Sequence, residues 1–253
     1  MTLFFTLLGP VGVTAHGDPV RVDRPRRRAI LAYLLLHADR VVSVGRLIEA
    51  TWGATPPSTA KAQIQSEIWA LRRTLQPAGT AGPIATRPGG YVLEVAPGHL
   101  DLAAYTEQAA QARAESDRSH PQFARKLMRE ALSLWKGPAL SGIAADFAES
   151  GRSRLEERRL TDVEWLADLE LGLGGHHALV PELAQHVADH PLRERLRAQL
   201  MVALYRSGRQ AEALAAAQRG RAILRDEYGL DPGLPLRRLE QAILRQDPVL
   251  DLS

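Results

Sequence analysis

The front of the chain alternates short apolar runs with turn residues. Thr2 to Leu8, Val11 to Ala15 and Val20 to Val22 are separated by Gly9-Pro10 and by Gly17-Asp18-Pro19, which predicts three short antiparallel strands. After Pro25 the period changes. Ala29, Ile30, Tyr33, Leu34 and His37 fall at helical spacing and predict a helix that ends near Ala38-Asp39. Val41 to Ser43 predicts one more short strand, and Ser43 is placed to cap a helix through Val44, Leu47, Ile48 and Trp52 that stops at Gly53. Pro56-Pro57-Ser58-Thr59 opens a third helix, whose Ile64, Ile68, Leu71 and Leu75 form one narrow apolar stripe. At about 100° per residue, Thr59, Ala62, Ser66, Trp69 and Arg73 point away from that stripe. Lys61, Gln65 and Arg72 lie on one flank and Gln63 on the other. Ile84 to Thr86, Arg87-Pro88-Gly89-Gly90 and Tyr91 to Val95 then predict a β-hairpin.

Beyond Pro97 apolar residues recur at spacings of three and four, and every predicted element is a helix: Leu102 to Glu115, Pro121 to Trp135, about Ala145 to Leu171, about Ala178 to Asp189, Leu192 to Ser207, Gln210 to Glu227 and Leu234 to Gln246. Ala167, Leu171, Gly175 and Ala178 match Leu200, Leu204, Gly208 and Ala211 at an offset of 33, close to the ~34-residue tetratricopeptide period. Two domains are therefore expected, 1–97 with small antiparallel sheets and 98–253 all-helical. Stacked helix pairs of the second kind suit a protein partner.

Composition changes this picture in one respect. The net charge is only +3, but residues 1–97 hold 11 Lys+Arg against 6 Asp+Glu while 98–253 hold 21 against 23. The positive field sits on the front third, as it does in nucleic-acid-binding modules. A 45% hydrophobic, 24% charged chain without Cys fits a globular protein of a reducing cytoplasm and excludes thiolate metal or disulfide chemistry. The apolar start contains Gly9-Pro10 and no leading cation, so it is read as strand and not as a signal peptide. No apolar run approaches the ~20 residues of a membrane span. His176-His177 is read as a surface turn, since adjacent helical side chains diverge and no carboxylate set completes a metal site. Glu156, Glu157, Asp162, Glu164, Asp168 and Glu170 are read as a solvated helix face. Phosphate-loop, nucleophile-elbow, zinc-protease and dinucleotide motifs are missing from the sequence, so neither catalysis nor a cofactor, metal or small-molecule substrate is expected.

Strands, three helices with a polar-faced third, and a terminal hairpin resemble the OmpR-type winged helix. Leu8-Gly9-Pro10, Leu34-Leu35-Leu36-His37-Ala38, Arg40-Val41-Val42-Ser43, Trp52-Gly53 before Pro56-Pro57, Leu71-Arg72-Arg73 and Arg87-Pro88-Gly89-Gly90-Tyr91 resemble the Streptomyces antibiotic regulatory protein (SARP) family. Leu134-Trp135-Lys136-Gly137-Pro138-Ala139-Leu140, His190-Pro191-Leu192-Arg193-Glu194 and Leu204-Tyr205-Arg206-Ser207-Gly208-Arg209-Gln210 resemble that family's bacterial transcriptional activation domain. The resemblance implies a short-form activator of an antibiotic biosynthetic gene cluster, cytoplasmic and associated with the nucleoid. It further implies two protomers in tandem on direct repeats of double-stranded DNA, engaging RNA polymerase holoenzyme with its sigma factor. Where the family has Arg or Lys followed by Asn this chain has Lys61-Ala62, and where it has Ser-Arg this chain has Trp69-Ala70, so the family's preferred DNA sequence does not transfer unaltered.

Within that frame Lys61, Gln63, Gln65 and Ser66, with Thr59 at the helix start, are candidates for base edges or phosphates, and Arg72 and Arg73 for phosphate or base contact. Arg26, Arg27 and Arg28 open a helix where cations oppose the dipole, which invites an anion. DNA phosphate and plain solvation both remain open there, with Arg26 taken as the candidate. Arg87 at the wing turn and Tyr91 beside it complete the set. Trp69 is expected to pack beneath a neighbouring loop. Two competing functions remain, a repressor with the same DNA-binding domain and a helical adaptor that binds protein only.

Overall fold

A computed structural model describes residues 2–76 and 82–250. Two compact units emerge, one of residues 1–111 with 129–159 and one of 112–128 with 160–253.

In the first unit, β1 (Leu3–Thr6), β2 (Gly12–Ala15) and β3 (Asp18–Pro19) form an antiparallel sheet in that order, with Leu3 opposite Ala15 and Thr6 opposite Gly12. The third strand lies earlier than Val20–Val22, because the turn at His16-Gly17 is tight and brings Asp18 opposite Ala15. The pairing continues only as far as the Val20 N–H, which donates to the Val13 carbonyl at 2.8 Å. Helix α1 (Pro25–Leu36) starts on a proline, whose missing N–H costs nothing in the first turn. Ala29, Ile30, Leu31, Ala32, Leu34 and Leu35 are all buried, so α1 is the central helix of this unit. Ser43 ends β4 (Val42–Ser43) and caps α2 (Val44–Trp52) by accepting the Arg46 N–H at 3.2 Å. Helix α3 (Ala60–Leu75) buries Ile64, Ile68, Leu71 and Leu75 as its stripe predicts, together with Glu67. The wing is β5 (Ile84–Arg87) and β6 (Gly90–Leu93), and β6 is the middle strand of the order β4-β6-β5. That order requires a glycine at position 90, where a Cβ would stand 2.0 Å from the Val42 carbonyl oxygen.

The amino-terminal sheet is completed from far along the chain. The Lys136, Leu140 and Ser141 N–H groups donate to the carbonyls of Leu8, Leu7 and Gly9 at 2.7, 2.9 and 3.0 Å. Asp101, at the start of α4 (Asp101–Asp117), accepts the N–H groups of Leu7 and Leu8 at 2.9 Å. Tyr105 meets the Trp135 ring edge-on at 5.5 Å, past the end of α5 (Pro121–Leu132). Residues 98–111 and 129–159 therefore share a core with the winged helix.

In the second unit α7 (His176–Asp189), α8 (Glu194–Arg206), α9 (Gln210–Tyr228) and α10 (Leu234–Arg245) pack in succession, with a 3-10 turn at Pro248–Leu250, and α6 (Asp146–Gly172, from Leu160 onward) is bonded to α8 through Gln199. The repeat is real but its register shifts by one. Gly174 (φ 78°) and Gly208 (φ 74°) carry the left-handed turns, and the Gly175 N–H to Glu170 carbonyl bond recurs as Arg209 N–H to Leu204 carbonyl. Positions 170, 174 and 175 correspond to 204, 208 and 209, an offset of 34, so Gly174 and not Gly175 is the counterpart of Gly208. The acidic face of α6 is also not uniformly solvated. Asp162, Glu164 and Glu170 are 2%, 6% and 3% exposed. Arg113 pairs with Asp162, Arg193 reaches Glu164 at 2.9 Å, and Gln199 donates to the Glu164 carbonyl and to Asp168 at 2.7 and 2.6 Å. Asp162 and Glu164 tie α6 to its neighbours, because α4 and the start of α8 supply cations that no spacing within α6 reveals.

Candidate nucleic-acid interface

Burial of one stripe of α3 turns the opposite face outward: Lys61, Ala62, Gln65, Ser66, Trp69 and Arg73 are exposed. The first turn of α3 holds no acid and the last holds Arg72 and Arg73, which complement the dipole at that end. Three guanidinium groups lie over aromatic rings around this helix: Arg26 over Trp52 at 4.8 Å, Arg72 over Tyr91 at 5.7 Å and Arg73 over Trp69 at 5.0 Å.

The helix start is a connected polar string. Arg26 donates to the Gln63 Oε1 at 2.7 Å, and the Gln63 Nε2 donates to the Thr59 hydroxyl at 2.8 Å. Thr59 occupies the cap position without capping a backbone N–H; its hydroxyl serves Gln63 instead. The anion that the Arg26-Arg27-Arg28 cluster invites is supplied, for Arg27, by the protein itself. Arg27 Nε donates to the Glu67 Oε2 at 2.7 Å, and Arg24 stands 3.6 Å from the other oxygen. Glu67 is 9% exposed. Its role is not legible in the sequence, because its partners Arg27 and Arg24 lie 40 or more positions earlier.

At the other end of α3, Arg72 braces the wing. Its Nε donates to the Ile84 carbonyl at 3.0 Å and its Nη2 to the Thr86 hydroxyl at 2.7 Å, beneath Tyr91. Arg87 at the hairpin turn pairs with Glu94 at 2.7 Å, each side chain 53% exposed. A pair so exposed is worth at most about 1 kcal/mol, so a phosphate competes with Glu94 readily. Arg73 differs from Arg26, Arg72 and Arg87. Among the described residues it has no hydrogen bond or ion pair, and its ring contact is Trp69. Trp69 itself is 59% exposed, which corrects the expectation that it packs beneath a loop: among the described residues no segment covers it. Thus the structure brings Arg26, Gln63 and Thr59 together at one end and Arg72 and Tyr91 at the other, with Lys61, Gln65, Ser66 and Arg73 exposed along the outward face of the helix.

Elsewhere, His176 and His177 begin α7 and do not form a free turn; burial, then the charges of His177 and Arg206, push the His176 imidazole below its ordinary range. Among the described residues no group of three or more His, Asp or Glu is placed to hold a metal ion, and no helix is long and apolar enough to cross a membrane.

Residues 20–93 match the family described as transcriptional regulatory protein, C terminal, and residues 100–244 match the bacterial transcriptional activator domain. Regulatory protein AfsR of Streptomyces coelicolor is 44% identical over 98% of this chain, which spans 25% of AfsR. Regulatory protein DnrI of Streptomyces peucetius is 37% identical over 97% of this chain and 93% of its own length. The solved structure of Mycobacterium tuberculosis EmbR in complex with a low affinity phosphopeptide superposes with a TM-score of 0.92 at 36% identity, over 97% of this chain and 66% of that one.

Proposed function

We propose, from the premise that this chain belongs to the Streptomyces antibiotic regulatory protein (SARP) family, that it is a sequence-specific DNA-binding activator of transcription, acting in the cytoplasm at the nucleoid on an antibiotic biosynthetic gene cluster. The observation that carries this reading is the outward face of α3. A helix that exposes Lys61, Gln65, Ser66 and Arg73 in one strip, with its opposite stripe fully buried, has the width and chemistry to enter a major groove.

The remaining candidates take supporting places. Arg26, Gln63 and Thr59, already bonded to one another, present donors to the phosphates flanking the groove at little further ordering cost. Arg72 and Tyr91 fix the wing against α3, and Arg87 at its tip exchanges Glu94 for a phosphate. We assign DNA reading to residues 1–97 and polymerase contact, including sigma factor, to 98–253. Two protomers in tandem on direct repeats supply the length of site that one reading helix lacks.

Selection of duplexes from a random pool by the full chain, followed by mobility shift of the winners, tests the reading directly. One recurrent sequence motif is expected, bound with a steep salt dependence. If no duplex is enriched, the chain is not a sequence-specific DNA binder. A purified transcription reaction on a template carrying the selected site then separates activation from repression.

A further inference from the structure

Among the aromatic side chains around α3, Trp69 stands apart. Trp52 and Tyr91 lie under guanidinium groups that are themselves tied down, Arg26 to Gln63 and Arg72 to Ile84 and Thr86. Trp69 is 59% exposed in the middle of a polar strip, and the guanidinium above it, Arg73, has no hydrogen-bond partner among the described residues. A large indole left in water on the one face of the helix that packing does not need is an unspent apolar surface.

We propose that Trp69 is a specificity-determining residue that reads the 5-methyl group of a thymine in the major groove. The inference rests on the DNA-binding reading of α3 and deepens it. Bases in a duplex are stacked, so an indole on a groove-filling helix meets only their edges. The major-groove edges of G, C and A offer hydrogen-bonding groups, and thymine alone adds an apolar methyl. The Arg73 stack covers one part of the ring, restricts the rotamers of both side chains and leaves the remaining ring surface for the methyl. Arg73, held by the ring, keeps its donors for the DNA next to that thymine. Lys61, Gln65 and Ser66, toward the helix start, carry polar groups suited to the other edges.

The test uses the full chain and duplexes that it selects from a random pool, resynthesised with deoxyuridine replacing one thymine at a time, which removes a methyl group and nothing else. At one thymine per half-site the exchange is expected to weaken binding about fourfold, the effect of one buried methyl-sized group. Exchanges elsewhere are expected to be neutral. Trp69→Ala, an exposed substitution whose folding is checked by thermal melting, is expected to bind the thymine and deoxyuridine duplexes equally. Trp69→Phe is expected to keep part of the discrimination. If no thymine is methyl-sensitive, or if Trp69→Ala retains the sensitivity, the inference is wrong while the DNA-binding reading stands. Failure to select any duplex overturns that reading and this inference with it.

Discussion

Asp101 accepts the backbone N–H of Leu7 with both carboxylate oxygens at 2.9 Å, across 94 positions of chain. The same carboxylate takes the Leu8 N–H at 2.9 Å and its own helix's Leu102 N–H at 2.7 Å. Leu7 and Leu8 are fully buried, so water cannot replace it. Asp101→Ala is expected to cost about 3 kcal/mol, since it strands buried N–H donors, and equilibrium denaturation measures the loss. A change below 0.5 kcal/mol, roughly the scale of a neutral surface substitution, would show that the two leucine N–H groups find other acceptors.

The same group gives a pH signature. Burial pushes the Asp101 carboxyl above its ordinary range, outweighing the N–H groups of Leu8, Leu7 and Leu102 that pull it down. The folded chain then holds this proton more tightly than the unfolded chain. Its contribution is fully present below the unfolded carboxylate pKa and is lost as pH rises through the raised folded value. Denaturation of wild type and Asp101→Asn at a series of acidic pH values should therefore give a stability difference that falls with rising pH across that window and is level above it. A difference that grows with pH would contradict the assignment.

Fragments are expected to follow the packing and not the 97/98 cut. A chain ending at Pro97 loses Asp101 and the Lys136, Leu140 and Ser141 donors to the first sheet. It should melt well below a chain that ends beyond Arg159, which keeps all of them. The longer fragment is expected to bind selected DNA as the full chain does and to leave transcription unstimulated, because the helices assigned to polymerase are incomplete. Full activation by either fragment would refute that division of labour.

Two adjacent arginines should behave differently. Arg73→Ala, which loses the stack on Trp69 and no hydrogen bond or ion pair among the described residues, is expected to lower stability by at most about 1 kcal/mol and to weaken DNA binding. If Arg73 holds a phosphate, the logarithmic salt slope shrinks by about 0.9. Arg72→Ala releases Ile84, Thr86 and Tyr91 and is expected to lower stability by about 1–2 kcal/mol as well. Thermal melting and binding across a salt series separate the two. An Arg73→Ala protein with unchanged affinity and slope would place Arg73 off the DNA.

Much of the winged helix was legible because its signals are local. Ser43 lies three residues before the N–H it caps, and Ile64, Ile68, Leu71 and Leu75 announce the buried face of α3 by spacing alone. What escaped the sequence depends on partners far away. Glu67 looks like one more solvated carboxylate until α1 brings Arg24 and Arg27 to it. Asp162 and Glu164 look solvated until α4 and the start of α8 supply Arg113 and Arg193. Trp69 was misjudged for a related reason: size predicts burial on average, and only the absence of a covering segment among the described residues shows otherwise. Roles of Lys61, Gln65 and Ser66 were legible as to face and not as to contact, since an exposed side chain takes its partner from outside the chain.

One reading helix with a short wing addresses too few base pairs for a unique genomic site, because each specified pair discriminates by only about 1–3 kcal/mol against a vast excess of competitors. Tandem protomers head to tail on one DNA face need repeat centres about one helical turn apart, roughly 10–11 bp. In that arrangement each copy sets Lys61, Gln65, Ser66, Trp69 and Arg73 in its own major groove. Inserting about 5 bp between selected half-sites turns one copy to the opposite face and is expected to abolish joint binding, whereas a full turn of about 10 bp restores phase without adjacency and recovers it only in part. Footprinting and mobility shift on the three spacings decide the matter. One protomer protecting a single half-site at full affinity, or indifference to the 5 bp insertion, would eliminate the tandem arrangement.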